Sequence, residues 1–131
     1  MNFLQRLFRQ PKSSGLIVAA KVTKLEKHPN ADRLQVVELF DGQKTIAPIV
    51  CGAFNFQEGD IVALALPGAQ ITHNIHSKEH EPFTLEKAFI RGVESQGMIC
   101  AAFELGKSEA PEDKPEIMVL RQNTKPGTIL G

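Results

Sequence analysis

Three histidines, His73, His76 and His80 in the stretch THNIHSKEH, are spaced so that one helical turn could offer imidazoles to a metal ion. The same stretch holds Lys78 and Glu79, with Glu81 just beyond, and no cysteine lies near it, so a polar loop is the simpler reading. Cys51 and Cys100 each end an apolar run, where a thiol is usually a small inert hydrophobe rather than a nucleophile. The sequence has no GxxxxGK[ST] phosphate loop, no GxSxG and no HExxH. These residues argue against an enzyme acting alone, and neither a metal nor a cofactor is expected. What remains is IRGVESQGMICAAFELG, Ile90 to Gly106, which gathers a cation, a hydroxyl, an amide and a thioether within eight residues, Arg91 to Met98. That run is too polar for a buried strand and too bounded by glycine for a helix.

The elements that would carry these residues are mostly strands. LIVAAKVTKLEKH, from Leu16, is rich in β-branched residues and alternates from Val18. LQVVELF, the turn pair Asp41-Gly42 and KTIAPIV complete a three-stranded meander. IVALALPG reads as a fourth strand, FTLEKAFI as a fifth, and EIMVL as a last short one. Short strands with frequent turn signals and almost no helical period predict a small closed or nearly closed all-β barrel with short helical turns. Residues 1–15, MNFLQRLFRQPKSSG, stand apart: Phe3, Leu4, Leu7 and Phe8 recur at helical spacing and Pro11 ends the pattern, which predicts a short amphipathic helix and a linker. The domain proper is then expected over 16–131.

Composition sets the class. At 131 residues, with 42% hydrophobic and 23% charged residues, the chain suits one globular domain. Eight Phe without Tyr or Trp place most aromatic rings in the core. Two cysteines without CxxC spacing suggest reduced, shielded thiols in a cytoplasmic protein, and no apolar run reaches transmembrane length. Net charge is zero, yet Met1 to Gln35 holds seven Lys or Arg against two acids, a local +5 that the remainder balances. Such asymmetry suits an anion-facing surface or solvated strand ends.

Four stretches, HPNADRLQVVEL (His28 to Leu39), IVCGAFNFQEGD (Ile49 to Asp60), LALPGA (Leu64 to Ala69) and IRGVESQGMICAAFELG, occur in this order. Together they resemble the tRNA-binding domain found near the N-terminus of bacterial phenylalanyl-tRNA synthetase β subunits, over roughly Leu16 to Gly131. The resemblance implies a five-stranded OB-fold barrel, in agreement with the strand count. It also implies a tRNA-binding module that assists aminoacylation or tRNA handling by a partner or parent synthetase, with no aminoacylation site of its own. Possible partners are tRNA, a synthetase subunit or a second copy of the chain, and no membrane.

On this resemblance the RNA-facing residues are expected to be Asn55, Arg91, Ser95, Gln96 and Met98, supplemented by Lys21, Lys24, Lys27 and Arg33. Arg91 would pair with phosphate, Ser95 and Gln96 with ribose or base edges, and Met98 would offer a soft apolar contact. Strict alternation would point Lys21 and Lys27 one way and Lys24 the other. Each residue has a structural alternative: Asn55 as a loop anchor, Met98 as core, the glycines as backbone hinges. The alternative function is a protein-interaction or structural domain on the same scaffold, in keeping with zero net charge and the apolar N-terminal pattern. The resemblance also departs from the family's short connection at QITHNIHSKEHEPFTLEKAF, which is longer here.

Overall fold

The computed structural model describes residues 14–109 and 115–131. The expected N-terminal helix falls on residues 1–13, outside the described residues.

Strand β1 (Ile17–Lys27) lies at the centre of the fold. Its first half pairs antiparallel with β4 (Ile61–Ala65) and its second half with β2 (Gln35–Phe40), which pairs in turn with β3 (Thr45–Cys51). The turn into β3 is set by Asp41, whose Oδ1 accepts from the backbone N–H groups of Gln43 at 2.9 Å and Lys44 at 2.8 Å.

The five apolar residues of β4 are all buried because the strand has a core on each face. Val62 and Leu64 enter the barrel with Val18, Ala20, Val22, Val37, Leu39 and Ile49. Ala63 and Ala65 face a second cluster with Ile17, Ile71, Leu85 and Cys100. The C-terminal tail flanks the start of β1: Ala19 N–H donates to the Thr128 carbonyl at 2.8 Å and Leu130 N–H to that of Ile17 at 2.7 Å.

The run FTLEKAFI is not one strand. It divides into β6 (Phe83–Thr84), paired with β5 (Gln70–Ile71), and β7 (Ala88–Ile90), paired with β8 (Val93–Ser95). Leu85, between them, is buried in the second cluster, while Glu86 and Lys87 stay in solvent. One straight strand cannot satisfy both demands. The barrel is completed instead by the polar run itself. β8 leads into β9 (Met98–Ile99), which pairs with β4 beside β10 (Val119–Leu120), while Gln96 N–H donates to the Pro48 carbonyl of β3 at 2.9 Å. The sheet thereby curls into an OB-like barrel, followed by a single turn of 3-10 helix at Phe103–Leu105.

The expectation that aromatic rings are mostly core needs correction at two positions. Phe56 and Phe103 are buried, but Phe54 and Phe89 are exposed.

Candidate nucleic-acid interface

The β7–β8 hairpin turns through only two residues, Arg91 and Gly92, and both have positive φ, +53° and +89°. This is the I′ type of turn, whose twist matches the flanking strands but whose first position ordinarily takes Asn, Asp or Gly. An arginine there carries backbone strain of about 1–2 kcal/mol, so the surroundings must hold it.

They do so through the loop after β1. His28, 1% exposed, accepts the Asn30 backbone N–H on Nδ1 at 2.9 Å, which leaves the ring proton on Nε2 to donate to the Ile90 carbonyl at 3.0 Å. Asn30 Nδ2 donates to the Arg91 carbonyl at 3.1 Å, and Arg91 Nη2 reaches back to the Asn30 carbonyl at 3.5 Å. The β1–β2 loop and the hairpin tip are thus clamped into one rim. Between them lies a polar concavity of about 590 Å³ lined by Lys27, His28, Asn30, Asp32 and Arg91. In the sequence His28 and Asn30 stand out only as members of the stretch HPNADRLQVVEL. A polar pair flanking Pro29 was their signal, and the distant partner was invisible.

The lysines are arranged differently from strict alternation. A bulge between Val22 and Lys24 shifts the register, so that Lys21 lies opposite Phe40 and Lys24 opposite Glu38, while the intervening Val22 and Leu25 face Leu39 and Val37 of the barrel interior. Lys21 and Lys24 therefore share the outer face, and Lys27, opposite Gln35, falls on the other parity. Lys24 pairs with Glu26 at 2.8 Å, a hydrogen bond that raises its pKa, and Lys27 pairs with Asp32 at 3.3 Å. Of the cations expected at the RNA site, Lys21, Arg33 and Arg91 stand outside these ion pairs.

Ser95 is not on the surface: it is 3% exposed. Its Oγ accepts the Val50 N–H at 2.9 Å and donates to the Gly97 carbonyl at 2.8 Å, so it sews β8 to β3 where the strands lack a regular ladder. Gly97 itself is required by close approach, because a Cβ there would come within 2.6 Å of the Ala65 carbonyl oxygen. Asn55 is exposed, but both ends of its amide are engaged by one residue. Nδ2 donates to the Ile117 carbonyl and Oδ1 accepts its N–H, each at 2.9 Å. Gln96 is half-buried, with Nε2 donating to the carbonyl of Glu94 at 3.2 Å and to its Oε1 at 3.3 Å. Met98, also half-buried, packs on the second core cluster.

Met98 is one wall of an apolar cleft of about 630 Å³. Ile90, Met98, Ile99, Phe103 and Ile117 line it, Asn55 holds the Ile117 wall and Ser95 the Val50 wall. Glu104, which the sequence reading passed over, also lines it at 4% exposure. Its Oε1 accepts the Ala101 N–H at 2.8 Å, but burial outweighs that bond and raises its pKa.

The histidines of the long connection are used in packing. His73 stacks on Phe103 at 4.4 Å between centroids, and His80 meets the same ring edge-on at 5.2 Å. Among the described residues, no group of three His, Cys, Asp or Glu side chains is placed to hold a metal ion. Both thiols are free and buried. Burial pushes Cys51 up to about 11 and Cys100 up as well, which disfavours the thiolate. No described helix is long and apolar enough to cross a membrane.

Comparison with known proteins decides what kind of module this is. The family described as "Putative tRNA binding domain" matches residues 16–129. The chain belongs to this tRNA-binding domain family. Similar curated proteins carry the same domain: the phenylalanine–tRNA ligase beta subunit of Chlamydia caviae is 46% identical over 115 residues, which cover 88% of this chain and 14% of that subunit. That of Chlorobaculum tepidum is 37% identical over 127 residues, 97% of this chain and 15% of the subunit. That of Anaeromyxobacter dehalogenans is 39% identical over 115 residues, 88% and 13% respectively. The tRNA-binding domain described here thus spans about one-seventh of these relatives' length.

Proposed function

We propose that this domain binds tRNA by shape and backbone at the rim where the β1–β2 loop meets the β7–β8 hairpin, and that it presents tRNA to a partner or parent synthetase in the cytoplasm. The observation that carries this reading is the clamped Arg91: a cation held at a strained turn position by His28 and Asn30, at the mouth of a polar concavity. Strain maintained by two long-range contacts favours a functional use for the side chain. In OB-folds, oligonucleotides lie across the sheet face and against the connecting loops, and this rim is built from two such loops.

Arg91 supplies the phosphate contact, with Lys21 and Arg33 as the other expected site cations left outside the two ion pairs. Lys24 and Lys27, already matched with acids, contribute less. Asn55, Ser95 and Met98 act indirectly, as builders of the cleft wall, with Gln96 steadying the seam. A gel-shift with bulk tRNA at low and moderate salt, beside an equal mass of duplex DNA, tests the reading. Retarded tRNA with weaker or no retardation of the duplex supports it. Equal behaviour of the two, or no binding, would move the domain to a protein-contact role, for which exposed Val119 and Ile129 are the candidate surface.

A further inference from the structure

The outer face of the β7–β8 hairpin carries an aromatic ring that the fold does not use. Phe89 is 74% exposed. Its orientation follows from register rather than from a loose loop. Phe89 lies opposite Glu94, whereas Ile90 lies opposite Val93 and Ala88 opposite Ser95. Ser95 is fixed toward the barrel by its bonds to Val50 and Gly97, so the positions of the other parity, Phe89 and Glu94, must face out.

The platform is also rigid. The turn that follows Phe89 is gripped through the Ile90 carbonyl by His28 and through the Arg91 carbonyl by Asn30. The acid on the same face is tethered, since Glu94 Oε1 accepts from Gln96 Nε2. An apolar ring held in water, two residues from the cation assigned to phosphate, matches a ligand with a flat apolar part beside an anionic one. We infer that Phe89 is a stacking platform for an exposed nucleobase of the bound RNA. This rests on the tRNA reading above and adds to it a contact with a base, which shape-and-backbone recognition alone does not require. Stacking on a rigid ring tolerates any base, because every base has a π-face. The contact therefore adds affinity without sequence preference.

The sequence makes the test clean, because it holds no Trp and no Tyr. Phe89→Trp introduces the sole indole of the chain. Its emission is followed during titration with bulk tRNA and, separately, with inorganic polyphosphate, while binding of labelled tRNA is measured by anisotropy. The expected result is strong quenching by tRNA and none by polyphosphate. In parallel, Phe89→Ala and Phe89→Leu both weaken tRNA binding by roughly five- to a hundredfold, with an unchanged salt slope and an unchanged thermal midpoint. The leucine variant keeps an apolar side chain and removes only the ring. If the parent and the Phe89→Leu variant bind tRNA equally, or if tRNA binds the Phe89→Trp variant without quenching, the stacking inference is overturned while the tRNA reading stands. If the parent protein binds no tRNA, both are overturned together.

Discussion

His28 Nε2 lies 3.0 Å from the carbonyl oxygen of Ile90, 62 residues away in the chain. With the same ring accepting the Asn30 N–H, one buried imidazole fixes the β1–β2 loop and the hairpin tip relative to each other. The rim is thus set before any ligand arrives, which lowers the ordering cost of binding.

His28→Ala removes both contacts and leaves buried polar groups without partners. The expected loss is about 1–3 kcal/mol of stability, read by urea denaturation, with tRNA affinity weakened severalfold in the fraction that stays folded. Unchanged stability and affinity would mean that the two loops hold together without this ring.

Ser95→Ala strands the Val50 N–H, which is the price of removing a hydroxyl from the seam between β8 and β3. A destabilisation of about 1–3 kcal/mol is expected, with no change in the salt slope of tRNA binding. A variant as stable as the parent but defective in RNA binding would instead return Ser95 to direct contact.

Much of the barrel was legible in the sequence. Alternation marks β1, Asp41-Gly42 marks the turn into β3 and IVALALPG marks a strand at β4, although its burial on both faces shows only in the fold. The site was less so, because its features depend on partners remote in sequence. The bulge at Val22/Lys24 leaves no mark on composition, yet it reverses which lysines share a face. Ser95 sits in a polar run that reads as surface, and only the approach of Val50 explains it. Phe89 and Phe103 are chemically identical residues, and only the hairpin register and the 3-10 turn separate one exposed ring from one buried ring.

Glu104 should give the stability a pH dependence of known sign. Burial raises its folded-state pKa above the ordinary 4.5, so the folded protein holds the proton more tightly than the unfolded chain. Its contribution is fully present below about pH 4.5 and is lost as pH rises through the raised folded value. Glu104→Gln keeps an acceptor for the Ala101 N–H and removes the titration. Urea midpoints measured from pH 4.5 upward should show the parent losing stability relative to this variant. Parallel curves would assign the dependence elsewhere.

Cys51 and Cys100 should resist modification in the native state. At pH 8 an alkylating reagent is expected to label neither thiol until denaturant is added, since burial both shields them and disfavours the thiolate. Rapid native labelling of both, or a mass showing a disulfide, would contradict this.

The most direct test is the salt dependence of tRNA binding by the parent and by Arg91→Ala. With Lys21, Arg33 and Arg91 as the expected RNA-site cations outside the Lys24–Glu26 and Lys27–Asp32 pairs, the parent's log–log slope is expected to be roughly −2 to −3. Arg91→Ala should weaken all tRNAs alike and flatten the slope by about one, with the thermal midpoint nearly unchanged because the side chain is exposed. A folded Arg91→Ala protein that binds tRNA with the parent's affinity and slope at every salt concentration would contradict the assignment of this rim.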